Sequence, residues 1–166
     1  MFEILRLIFN IIQRKKESGS YSFKEASESD IIQALKRIKN EFGDEIARRV
    51  EQIFRLETAH FKSKAFKKTN SAGLLWNERY FKHRDKYCVW VKEIRDSKGN
   101  LIKNAIVPEG TEGAKKFCYV IFPTVYDGMR YLALYLSRYG IDKGTARWGG
   151  GENYLALVKK IQNKFV

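Results

Sequence analysis

The chain has 166 residues, enough for one domain with a real core and too few for two ordinary ones. Its 44% hydrophobic and 14% aromatic content excludes a disordered polyelectrolyte, while 32 Lys and Arg against 19 Asp and Glu leave a formal charge of +13. That balance attracts polyanions, whether nucleic acid, anionic lipid or the phosphate-bearing polymers of a bacterial wall, and the basic residues are too scattered for a sequence-reading groove.

The segment 2–12 is strongly apolar, interrupted by Glu3, Arg6 and Asn10, and is followed by Gln13, Arg14, Lys15 and Lys16. It is too short to span a bilayer, and its charges follow the apolar run, the reverse of a cleavable secretory signal. The expectation is an N-terminal apolar helix and linker over residues 1–20, packed on the domain, with contact of 2–16 to a membrane or virion as the alternative. Residues 21–166 then form a single domain. Ser29 and Asp30 are placed to cap a helix whose apolar positions are Ile31, Leu35, Ile38 and Phe42.

After Gly43 and Asp44 a second helix carries Ile46, Val50, Ile53 and Phe54 on one face, and Glu57 falls on that same face at its end. The spacing points Glu57 toward the core or a cleft beside it. Desolvation and the negative end of the helix dipole both favour the protonated carboxyl there, the state a general acid requires. The other reading is a glutamate that reaches sideways into water.

The stretch 62–73 reads as a short lysine-rich helix closing in a loop, a solvated face that also suits an anionic wall polymer. Strand composition begins at Tyr87 and runs through Val91; the turn signal Asp96, Ser97, Lys98, Gly99, Asn100 and the run 101–107 complete a hairpin. A third strand over 117–122 ends at Pro123, giving a β lobe of about 86–122. Cys88 and Cys118 either pair across their strands or stay as buried thiols. Neither they nor His60 and His83 have metal-ligand spacing, and no phosphate-binding glycine motif occurs, so no metal and no cofactor is expected. A helix with Met129, Leu132, Ala133 and Leu136 inward ends near Gly140, and a last helix capped by Asn153 presents Tyr154, Leu157, Val158 and Ile161. The fold class is α+β, mainly helical, with a small antiparallel β lobe inserted after the helix of Glu57.

Three blocks resemble the lysozyme-like peptidoglycan β-N-acetylglucosaminidases of autolysins, flagellar wall enzymes and phage lysins. Residues 47–70 are similar to that family's helix ending in Glu-Ser-Gly, the basic segment after it and an asparagine-rich turn, with Glu57, Thr58, Ser63, Lys64 and Asn70 in place. The segment 122–136 resembles the turn and helix after the β lobe. Residues 148–161 resemble the stretch whose tyrosine, here Tyr154, opens the final helix beside the catalytic glutamate. The family's glycine is Ala59 here, and its paired asparagines reduce to Asn70, Ser71, Ala72, Gly73 and Leu74.

The resemblance implies a lysozyme-like fold and an endo-acting glycoside hydrolase that cleaves β-1,4 bonds of peptidoglycan. Glu57 would be the general acid, and the substrate N-acetyl group, oriented by Tyr154, would attack in place of a second carboxylate. Glu78, Asp85, Glu93, Asp96, Glu109 and Glu112 are the unranked candidates for a second acid. Asn70 from the turn and the aromatic residues Trp76, Tyr80, Tyr126 and Trp148 are the expected substrate-binding residues, since aromatic faces suit pyranose rings. Alternatives are a lytic transglycosylase on the same fold and a non-enzymatic basic virion or nucleic-acid-binding protein. The implied setting is the bacterial envelope or a phage virion, and the implied assembly is a monomer.

Overall fold

The computed structural model describes residues 22–166; the N-terminal apolar segment expected over 1–20 lies outside them. Seven helices and one three-stranded antiparallel sheet occur among the described residues. Helix α1 spans Glu28–Phe42 and starts earlier than the sequence suggests. Its N-cap is Ser27, which forms a capping box with Asp30, so Asp30 belongs to the first turn instead of preceding it. Helix α2, Asp44–Glu57, follows Gly43, whose φ of 90° lets the chain reverse without a linker.

Helix α3 spans Lys64–Thr69, with Ser63 as N-cap and Asn70 in the left-handed region closing it, and α4 is the single turn Glu78–Phe81. Strands β1 (Lys86–Arg95), β2 (Leu101–Val107) and β3 (Lys115–Val120) pair in the order β2-β1-β3. Leu75 bridges Tyr119 on the free side of β3, so the segment after α3 extends the sheet edge. The remaining helices are α5 (Val125–Tyr139), α6 (Ile141–Gly149) and α7 (Glu152–Lys159).

The core is helical. Leu35 and Ile38 of α1, Ile53 and Phe54 of α2, Met129, Leu132 and Leu136 of α5 and Val158 of α7 are all essentially inaccessible. Helix α1 packs on α5 and α2, and α6 bridges α5 to α7. The last helix differs from expectation: Gly151, not Asn153, is its N-cap, and it buries Leu155 and Val158 while Leu157 is exposed. Helix α6 was not legible at all, because it opens on Gly140 without a side-chain cap and carries Gly144 in its interior.

Two local features organise the helical body. Glu51, six residues before the acid the spacing singled out, is fully buried. It receives the Arg55 guanidinium at 2.7 Å, the Asn163 amide and the backbone N–H groups of Lys164, Phe165 and Val166. The second is an αL run: Ala59, His60 and Phe61, with φ of 49°, 57° and 68°, form a left-handed turn directly after α2. Such conformations cost L-residues about 1–2 kcal/mol each. Here the turn is offset by hydrogen bonds from the His60, Lys62 and Ser63 N–H groups to the Arg55 and Thr58 carbonyls. Phe61 also packs in a cluster with Phe54, Phe66 and Phe165 at centroid distances of 5.6 to 6.3 Å.

Candidate active site

Glu57 is the last residue of α2 and is exposed, so of the two placements the spacing allowed, the core or a cleft beside it, the core is ruled out. The reason is its terminal position. The helix stops there, so the apolar face that buries Val50, Ile53 and Phe54 has run out and the chain turns away through Thr58. Thr58 is the buried cap; its hydroxyl donates to the Phe54 carbonyl and accepts from the Phe61 N–H.

Three groups surround the Glu57 carboxylate. A Cβ on Gly73 would lie 3.3 Å from Oε2, so the turn after α3 brings its backbone close to the acid, and its φ of 73° suits glycine. Tyr154, in the first turn of α7, aims a buried hydroxyl at the same place and has no partner in hydrogen-bonding geometry among the described residues. Burial first, and then the adjacent Glu57 carboxylate, raise its pKa far above the ordinary phenol value. The Tyr154 ring packs so closely on Gly149 that any Cβ there would overlap it. Tyr119 of β3 completes the set; burial and then the charge of Glu57 raise its pKa as well.

Two of these neighbours each line a hollow, Gly73 on the helical side and Tyr119 on the sheet side. On the helical side, a cleft of about 330 Å³ is lined by Gly73, Leu74, Leu75, Tyr131, Tyr135, Arg147 and Trp148. Its aromatic wall is close-packed, Trp148 meeting Tyr135 edge-on at 5.3 Å and Tyr131 at 6.5 Å. Burial raises the Tyr131 pKa to about 12, so this wall stays neutral across the physiological range. On the sheet side, a hollow of about 470 Å³ runs from Tyr119 past Phe117 and Lys115 to Val91, Glu93 and Asn104.

The structure sorts the predicted substrate-binding residues. Trp148 lines the cleft. Asn70 does not face it: it is fully buried, and its amide donates to the backbone carbonyls of Lys24, Phe122 and Pro123, which makes it a clamp on the turn. Trp76 donates its indole N–H to the Arg84 carbonyl, with the Lys86 ammonium 4.0 Å from its ring centre, so its ring is already engaged. Tyr126 belongs to the contact between α1 and α5, where its hydroxyl donates to Glu41 at 2.6 Å beneath the Arg37 guanidinium. Tyr80 is exposed on α4 and outside both hollows.

Tyr119, Tyr131, Tyr135 and Arg147 were missed. A signal existed for two of them, because Tyr131, Tyr135 and Tyr139 repeat every four residues and make a stripe on α5 beside its apolar face.

Among the described residues, four of the six candidate second acids, Glu93, Asp96, Glu109 and Glu112, stand on the hairpin or in the loop between β2 and β3. Glu93 shares the face of Tyr119 but pairs with Arg95 at 2.6 Å. It also lies six residues beyond Tyr87, the register partner of Tyr119, which is about 20 Å along the strand. Asp96 accepts hydrogen bonds within the hairpin turn, and Glu109 and Glu112 are exposed in the loop between β2 and β3. Among the described residues no three His, Cys, Asp or Glu side chains converge in a metal-binding group. No protein-family model, curated protein or solved structure matches the chain.

Proposed function

We propose that the protein is a lysozyme-like glycoside hydrolase that cleaves β-1,4 bonds in peptidoglycan, with Glu57 as its general acid. The observation that carries this reading is the juxtaposition of Glu57 with the buried Tyr154 hydroxyl, next to Gly73 at the edge of a cleft walled by Tyr131, Tyr135 and Trp148. A glycan laid past Glu57 covers the exposed carboxylate and replaces water with sugar. Glu57 then protonates the glycosidic oxygen as the bond to C1 breaks.

The placement of four of the six candidate second acids on the hairpin or in the loop after it favours participation by the substrate. The N-acetyl oxygen closes on C1, Tyr154 donates a hydrogen bond that orients the acetamido group, and the Glu57 carboxylate takes a proton from the water that opens the ring. The same placement suits a lytic transglycosylase, in which a sugar hydroxyl closes on C1 and no water is consumed. The pairing of Cys88 with Cys118 fits an oxidising compartment outside the cytoplasm, where a wall glycan is met.

The test is digestion of purified wall by wild type and Glu57→Gln with identification of the new sugar ends. Reducing N-acetylglucosamine ends from wild type alone are the expected result. Anhydro-muramic ends identify the transglycosylase, and equal digestion by the variant removes Glu57 from the chemistry.

A further inference from the structure

The outer part of the β1–β2 hairpin exposes apolar side chains for which the fold has no use. Eight large hydrophobic side chains are exposed among the described residues, and four of them lie here: Ile94 (37%), Leu101 (50%), Ile102 (61%) and Ile106 (63%). The register sets Ile94 and Leu101 toward one face of the ladder and Ile102 and Ile106 toward the other. Ile94, Leu101 and Ile102 thus flank the polar turn, Ile102 on the opposite face, while Ile106 lies further back opposite Val91. Single exposed hydrophobics are ordinary, but a cluster of this kind marks an interaction surface.

Cations surround the cluster. Lys103 lies between the apolar positions on β2, Lys98 sits in the turn, and Lys92, Lys115 and Lys116 follow on β1 and β3; none of them makes an ion pair among the described residues. The two acids on the hairpin are already engaged, Glu93 by Arg95 and Asp96 by the Lys98 and Asn100 N–H groups, while Glu109 and Glu112 stand exposed in the loop that leads to Lys115. Half-buried Trp90 stands opposite Lys116, whose ammonium is 5.9 Å from its ring centre.

Apolar side chains flanking a lysine-bearing turn, a belt of lysines and a tryptophan further down match an anionic bilayer surface, with its acyl boundary, headgroup phosphates and interface. A second copy of the chain is a poor occupant, because β2 is an edge strand with Lys103 at its centre and two such hairpins would bring like charges together. We infer that this hairpin docks the protein on an anionic lipid surface, with Ile94, Leu101 and Ile102 entering the headgroup boundary and Lys92, Lys103 and Lys116 meeting lipid phosphates. The Cys88–Cys118 disulfide ties β1 to β3 beneath it, so the hairpin enters as a stiff element with little left to order. The inference does not depend on the sugar-cleaving reading.

Vesicle flotation of the full chain tests it, with phosphatidylcholine alone and with phosphatidylcholine containing phosphatidylglycerol. Wild type should float with the anionic vesicles only, and its fluorescence should shift to the blue, a shift lost in Trp90→Phe. The triple change Ile94→Ser, Leu101→Ser, Ile102→Ser should weaken partition by more than about tenfold. Replacing Lys92, Lys103 and Lys116 with Gln should weaken it about a hundredfold.

Unchanged melting by circular dichroism qualifies each variant, and Ile102→Ser alone, at a side chain the fold leaves in water, serves if the triple change disturbs folding. The inference is overturned if wild type does not float with anionic vesicles, or if the serine variants float as wild type does, which reduces the effect to charge attraction. It is equally overturned if wild type sediments as a dimer that the serine changes dissociate, which makes a second copy the occupant.

Discussion

The helical body and the β lobe are held together by different forces. In the body, side chains from α1, α2, α5 and α7 reach essentially zero exposure around Phe54 and Met129, and every element packs on at least one other through that core. In the sheet only Val89 and Val120 are buried. The lobe relies on ladder hydrogen bonds, its contact with α3 and the Cys88–Cys118 cross-link between directly opposed residues. Burial makes the body rigid and leaves it little free surface. The lobe carries its side chains outward, and that freedom suits it to one wall of a groove and to a docking hairpin.

The largest effect is expected in the helical body. Phe54→Ala should remove about 3–5 kcal/mol from unfolding measured in urea, since the cavity lies where α2, α3 and the left-handed turn converge. Next is Glu51→Ala, which strands the buried Arg55 and frees three backbone N–H groups; a loss of about 3 kcal/mol is expected.

Glu51 also makes the body sensitive to acid. Burial pushes its pKa up, but the Lys164 N–H, the Arg55 guanidinium and the Asn163 amide outweigh burial and hold it below its ordinary 4.5. The stabilisation is therefore complete above pH 4.5 and is lost as pH falls through the lower folded value. The urea midpoint of wild type should fall over that range, and Glu51→Gln should flatten the fall.

The lobe should answer differently. Replacing Cys88 and Cys118 with Ser opens a cross-link spanning 30 residues, worth about 3 kcal/mol on chain-entropy grounds. Hydrogen exchange should speed up in β1 and β3 while α2 and α5 stay protected; equal loss everywhere would mean that the two regions unfold as one. The smallest effect expected is a gain. Ala59→Gly at φ 49° should stabilise the turn after Glu57 by about 0.5–1 kcal/mol, read as a raised melting temperature.

Much of the fold was legible because its elements announce themselves by period and punctuation: the apolar positions of α1 and α5, and the hairpin turn at Asp96 to Asn100. The site was less legible. Helical spacing placed Glu57 correctly at the end of a helix but could not tell that the inward acid of that helix is Glu51, six residues earlier. Asn70 and Tyr126 look like binding residues by type, yet their partners are backbone carbonyls and Glu41, which only tertiary structure brings near. Whether Cys88 and Cys118 pair depends on strand register, and that is decided by side chains on three segments at once.

The left-handed turn at Ala59, His60 and Phe61 also limits how this site can change. Its backbone is locked on both sides of Thr58 by hydrogen bonds and by the packing of Phe61, so the chain at Glu57 cannot advance or retreat. The reach of the carboxylate into the groove is then set by its own side-chain torsions. Shortening it by one methylene, as in Glu57→Asp, withdraws it by about 1.5 Å with no backbone slack to recover the distance. Under the role proposed for Glu57, a residue with the right chemistry and one carbon too few should digest wall as poorly as Glu57→Gln.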